Sequence, residues 1–273
     1  MILIGTSGFS YEDWKGVFYP ENIKKADMLA YYARSFAAIE INASYYTIPG
    51  AASFAGMARK VPDNFEFVVK AHKDMTHAEG LDSRTFDIFK GSIQPLIDAG
   101  KFGCVLAQFP WSFKCTADNA AKLRGFKDML EELPTVVEFR NAEWVNEEAF
   151  ELLRELELGF CAVDEPHLKG LMPPVAAVTS PIGYVRFHGR NAAKWWKHDH
   201  AYERYDYLYT EDELSEWMPR IADIDSQATK TYVFFNTHYK AKAVKSAKLC
   251  AKMLGVLLPS EEASGAAMGE LPF

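Results

Sequence analysis

The sequence predicts an α/β architecture: a single (β/α)8 TIM barrel of parallel strands with a long loop after strand seven. Three observations predict it. Short apolar runs rich in Val, Ile and Phe alternate with longer amphipathic stretches, the βα pattern of a parallel sheet. Eight such units fit into about 255 residues, the usual size of a closed barrel. No internal repeat, low-complexity linker or composition break divides the chain. The barrel is expected over residues 1–258, with a C-terminal tail over 259–273 where periodicity is lost.

In chain order the strands are expected at Leu3–Ser7, Ala38–Asn42, Phe65–His72, Gly103–Phe109, Val136–Arg140, Phe160–Asp164, Tyr184–His188 and Tyr232–His238. Helices are expected near 26–37, 51–60, 84–99, 117–132, 146–157, 211–223 and 239–254. Asn146 followed by Glu147 and Glu148 supplies a cap and an acidic first turn. Thr210 with Glu213 three residues on has the capping-box spacing. Pro166, Pro173 and Pro174 leave little room for a helix after the sixth strand. The stretch 190–209 is a long loop full of Trp, Tyr and charge, and loops of that length inside a compact domain are usually functional.

Composition narrows the function. The 273 residues are 49% hydrophobic and 25% charged, and 30 Lys+Arg against 37 Asp+Glu give a net charge of −7. An anionic chain is a poor non-specific binder of nucleic acid or acidic membranes, although a local basic patch is compatible with that total. The four cysteines, Cys104, Cys115, Cys161 and Cys250, form no C-x-x-C pair and read as free thiols. The first four apolar residues meet Gly5-Thr6-Ser7-Gly8 too soon for a secretory signal, and no window suits a membrane span. A cytoplasmic protein with no membrane partner is expected.

Residues two apart on a strand face the same way. Five strand ends repeat one arrangement: Glu40 with Asn42, Lys70 with His72, Glu138 with Arg140, Arg186 with His188, and Asn236 with His238. Their alternate neighbours are mostly apolar, as Ile39, Val69, Val137 and Phe187 illustrate. The polar parity is therefore expected to point into the C-terminal mouth, where such barrels place their chemistry. A structural alternative stands beside this: Glu40, Glu138 and Asp164 balance Lys70, Arg140 and Arg186 and can form an internal ion-pair lattice. Three histidines on the same rim, His72, His188 and His238, are not explained by a lattice alone.

The stretch from Tyr184 to His200 holds Arg186, Arg190, Lys194 and Lys197 against Asp199, and Gly189 permits a tight turn at the strand exit. Trp195 and Trp196 add aromatic surface beside these cations, suited to stacking a base or sugar while a phosphate is held. The alternative is a solvated loop whose tryptophans close over the barrel.

Several segments together resemble a known family. They are Gly5–Tyr11, Asp13–Gly16, Phe18–Pro20, Glu40-Ile41-Asn42 with Tyr45, Tyr46 and Pro49, Lys70, Thr76-His77 and Gln108–Pro110. Glu138–Arg140 with Trp144, Asp164, Arg186–Asn191 with Trp195, and Phe235-Asn236 with His238 complete the set. From residue 3 to about 255 the chain resembles the family called domain of unknown function 72, or YecE-like. The resemblance implies a TIM barrel with a polar pocket at the strand C-termini. The family has no settled activity, and its distant likeness to barrel-fold DNA-repair endonucleases implies nucleic-acid binding or hydrolysis. The eighth strand of the family usually reads Phe-Asn-Asn, whereas Thr237 follows Asn236 here.

The expected function is recognition of an anionic, phosphate-containing ligand: a nucleotide, a short single-stranded nucleic-acid fragment or a sugar phosphate. His188, Glu138, Glu40, His238 and Asp164 are the candidate catalytic groups for metal-free acid/base chemistry of a hydrolase or lyase. Arg186, Arg190, Arg140, Lys70, Asn42, Tyr46, Gln108, Asn191, Trp195 and Asn236 are the candidate ligand contacts. No metal or other cofactor is expected, because three rim cations repel a dication. A metal-dependent phosphoesterase or endonuclease-like hydrolase and a non-catalytic binding protein are the alternatives.

Overall fold

A computed structural model describes residues 1–260; of the expected tail, 261–273 lie outside the described residues. Eight strands, β1 (Ile2–Thr6), β2 (Ala38–Ile41), β3 (Glu66–Lys70), β4 (Phe102–Gln108), β5 (Thr135–Glu138), β6 (Leu158–Asp164), β7 (Ile182–Phe187) and β8 (Lys230–Phe235), run parallel in the order β1-β8-β7-β6-β5-β4-β3-β2. The expected (β/α)8 barrel is thus present and nearly closed.

The seam between β1 and β2 is closed differently from the other seven. Their backbones pair at the mouth, through a Ser7–Glu40 bridge and the Gly8 amide donating to the Glu40 carbonyl at 2.8 Å. Deeper in the seam the Tyr32 hydroxyl stands in for the ladder, accepting from the Thr6 amide at 2.9 Å and donating to the Ala38 carbonyl at 3.2 Å. Tyr32 is fully buried at the end of the Met28–Tyr32 helix, so a helix side chain completes the barrel wall.

The expected helices recur with shifted ends. Asn146 caps Glu147–Glu155 by accepting from the Ala149 amide at 2.8 Å, and Thr210 and Glu213 form the expected capping box. The span 211–223 divides into Glu211–Ser215 and Met218–Gln227, with Pro219 in the first turn of the second helix. Residues 165–180, which carry Pro166, Pro173 and Pro174, contain no helix. Outward strand residues pack under the helices: Phe187 stacks on Phe235 with centroids 4.5 Å apart and meets Trp217 edge-on.

Candidate functional site

The strands end earlier than their sequence pattern suggests, so Asn42, His72, Arg140, His188, Asn236 and His238 lie just beyond them. Ladder bonds persist for one more step past β7 and β8, with the His188 amide donating to Asp164 and the Asn236 amide to Phe187, each at 2.8 Å. Those residues therefore keep the inward parity of Arg186 and Phe234.

Inside the barrel a charge lattice forms. Arg186, 1% exposed, donates to Glu40 at 2.6 Å and to Glu138. Arg140 pairs with Glu138 at 2.5 Å and with Glu165 at 3.1 Å. Glu40 also accepts from the Tyr184 hydroxyl at 2.7 Å and from the Asn42 amide at 3.0 Å. Burial alone raises the Glu138 carboxyl, but Arg140 and Arg186 outweigh it and hold the group well below its ordinary value. Glu165 has one arginine instead of two, and there burial wins, pushing its carboxyl up to about 7.

Two of the expected proton carriers are affected by these surroundings. His188 is fully buried between Glu138, at 3.1 Å from Nε2, and the Asn236 amide, at 3.2 Å from Nδ1. Burial, with Arg140 nearby, drives its value down to about 3. Burial thus favours the neutral ring, which bridges Glu138 and Asn236 behind the cavity. His238 does reach the mouth, where its ring stacks on Tyr11 at 4.8 Å, and burial lowers its value too.

The open part of the mouth is a small cavity of about 260 Å³. Asn42, Tyr46, Lys70, Gln108, Arg140, Arg186, Asn236 and His238, all proposed from the sequence, line it together with Tyr11, Tyr45 and Tyr205. Among the described residues no carboxylate belongs to the lining, because Glu40 and Glu138 are wholly buried behind it. Lys70 donates to the Gln108 amide oxygen at 2.9 Å and lies 4.4 Å from the centre of the Tyr45 ring. Among the described residues no carboxylate pairs with it. Burial, followed by the nearby Arg186 charge, brings its amine down to about 7.

Four expected site residues are not brought to this mouth. Asp164 shares parity with Phe160, which packs on Phe150 of the surrounding helices, so its carboxylate faces outward. There it accepts from Tyr209 at 2.5 Å, Trp217 at 2.7 Å and Arg190 at 2.7 Å. Arg190 also donates to Glu216 through both terminal nitrogens. Asn191 donates to the Glu203 carbonyl at 3.0 Å, and Trp195 is buried beneath Arg204 inside its own loop. The long loop instead sends Tyr205 to the cavity, while Gly189 turns at a φ of +85°, where a Cβ would lie 2.6 Å from Tyr207.

Sequence reasoning passed over Glu165, Tyr11, Tyr45 and Tyr205 as site residues. For Glu165 a signal existed: it continues the inward parity of Cys161 and Val163 one step past β6. For Tyr205 no local signal exists, because the fold of a loop decides which of its aromatics faces inward. Among the described residues, no group of three His, Cys, Asp or Glu side chains is arranged to hold a metal ion.

These features define a parallel β/α barrel with a cation-lined pocket at the carboxyl ends of its strands. Residues 3–266 match the family described as "Protein of unknown function DUF72", and the chain belongs to that family. It is 32% identical over 272 residues to UPF0759 protein YunF of Bacillus subtilis, covering 94% of this chain and 95% of that one. A DUF72 family crystal structure from Thermotoga maritima superposes with a TM-score of 0.86 at 41% identity, covering 93% of this chain and 99% of the other. One from Enterococcus faecalis gives 0.84 at 28% identity over 94% and 96%. Among the described residues no helix is long and apolar enough to cross a membrane.

Proposed function

We propose that the barrel mouth binds a small anionic, phosphate-containing ligand, with Lys70 as its principal anchor. One observation carries this reading: among the described residues the lining presents Lys70, Arg140 and Arg186 and no carboxylate, and of the three cations only Lys70 lacks an acidic partner there. The arginines are already bound by Glu40, Glu138 and Glu165, so they fix the cavity and add little free charge. A cavity of about 260 Å³ suits a phosphate with a sugar-sized group or one nucleotide moiety. Tyr45, Tyr46 and Tyr205 offer the faces on which a sugar or base stacks.

The same amine is the group best placed for metal-free acid/base chemistry. An amine near 7 is present in both protonation states at neutral pH, as a general acid or base requires. Titration calorimetry of inorganic phosphate against the parent chain and Lys70→Met tests the binding reading. A charge-assisted hydrogen bond contributes about 1.5–3 kcal/mol, so the variant should bind roughly ten- to hundredfold more weakly. Equal affinities, or no heat from the parent chain, would overturn the proposal. Turnover of a phosphodiester and sugar-phosphate panel, with and without chelator, separates an enzyme from a binding protein.

A further inference from the structure

A second cavity, of about 640 Å³, opens on the outer side of the β1–β2 seam. It shares Tyr11, Asn42 and Tyr46 with the mouth, so the two spaces meet along one wall. Its character is different. Phe9, Leu29, Ile41 and Met57 give it apolar sides, and among the described residues Lys25 and Lys60 are its only charged lining residues. With the two arginines of the mouth already paired, Lys25, Lys60 and Lys70 are the cations of the adjoining cavities that have no carboxylate partner among the described residues, and together they form one field favourable to anions.

The residue at the junction adds a separate indication. The Asn42 amide nitrogen is held by Glu40, while its carbonyl oxygen is buried with no hydrogen-bond partner among the described residues. A buried acceptor left unpaired is costly, and a donor on a bound molecule would satisfy it. Bare phosphate in the mouth would also leave the apolar groove against water, where filling it is favourable.

We propose that the ligand is an amphipathic organic anion. Its head group sits at Lys70, a hydroxyl or N–H meets Asn42, and an aromatic or branched apolar body lies in the groove toward Met57. This rests on the mouth reading above and extends it by naming the substrate class. A bare oxyanion or a fully polar sugar phosphate would use only half of the joined space.

The probes are inorganic phosphate and phenyl phosphate, titrated into the parent chain, Lys70→Met and Gly56→Trp. Gly56 lines the groove, and a Cβ there would meet nothing closer than the Arg59 guanidinium at 4.0 Å, so an indole has room to fill the space. Phenyl phosphate should bind the parent chain at least tenfold more tightly than phosphate. Gly56→Trp should erase that gain and leave phosphate affinity within twofold, whereas Lys70→Met should weaken both probes in parallel. Ala52→Phe, on the same helix and also lining the groove, repeats the block if Gly56→Trp does not fold. Phosphate bound normally with no gain for the phenyl group, or a gain that survives both blocking variants, overturns the amphipathic ligand alone. A phenyl gain that is indifferent to Lys70→Met, or absence of binding by either probe, overturns the head-group assignment on which it rests.

Discussion

Replacing Arg186 by Met should damage the fold far more than ligand binding. Its two terminal nitrogens are committed to Glu40 and Glu138, and the residue is 1% exposed. Glu138 would retain Arg140 at 2.5 Å, and among the described residues Glu40 would retain only the side chains of Tyr184 and Asn42, both neutral. Removing one partner of a buried ion pair costs about 3–5 kcal/mol. For a chain of this size each kcal/mol moves the midpoint by about 2–4 °C, so melting should fall by roughly 6–20 °C. Adding Glu40→Gln to Arg186→Met removes the stranded charge and should recover at least half of the loss. The deficit should also shrink at acid pH, since Glu138 has lost one of the two arginines that depress it and takes up a proton more readily. Calorimetric melts at pH 5 and 8, paired with phosphate titrations, provide the assay. A fall below about 2 °C together with a tenfold loss of phosphate affinity would show that Arg186 is a ligand clamp and that the lattice argument is wrong.

Lys70 should impose a pH signature of its own. Its amine is near 7 in the fold against an ordinary 10.5, so the folded chain binds fewer protons between these values and its stability rises with pH across that window. Lys70→Met should therefore raise the melting temperature most at and below pH 7 and least near pH 10.5; phosphate affinity of the parent chain should fall as pH rises through 7. A pH-independent effect in both measurements would contradict the assignment. Tyr32→Phe leaves the Thr6 amide without its acceptor and should cost about 1–3 kcal/mol, with faster hydrogen exchange at Thr6 and little change at the other strand seams. Asp164→Ala strips an acceptor from Tyr209, Trp217 and Arg190 and should lower the melting temperature by at least 6 °C. Phosphate affinity should stay within twofold, and a larger loss would return Asp164 to the ligand site.

Much of the fold was legible in the sequence because its evidence is local. Strand alternation is a period-two property of a few residues, so Glu40, Lys70, Glu138, Arg186 and Asn236 could be assigned inward from their apolar neighbours alone. Caps such as Asn146 and Thr210 act within one turn and were equally readable. Asp164 failed because a charge at a strand end was given the mouth by analogy, although its parity with Phe160 points to the helices.

The sequence by itself determined the barrel, its inward set of charged strand ends and the near balance of those charges. Tertiary structure decided how the charges are paired, and pairing sets what each can do. Arg186, Arg140 and Lys70 look alike as cations on strand ends, yet Arg186 is neutralised by carboxylates from two other strands, Arg140 by Glu138 of its own strand and Glu165 beyond β6, and Lys70 by none among the described residues. Electrostatic energy in a low-dielectric interior depends on distances of a few ångströms between residues that are more than a hundred positions apart, such as Glu40 and Arg186. Periodicity along one strand carries no information about those distances. The choice of Tyr205 over Trp195 to face the cavity has the same origin, because a loop's inward side chains are selected by packing against the finished barrel.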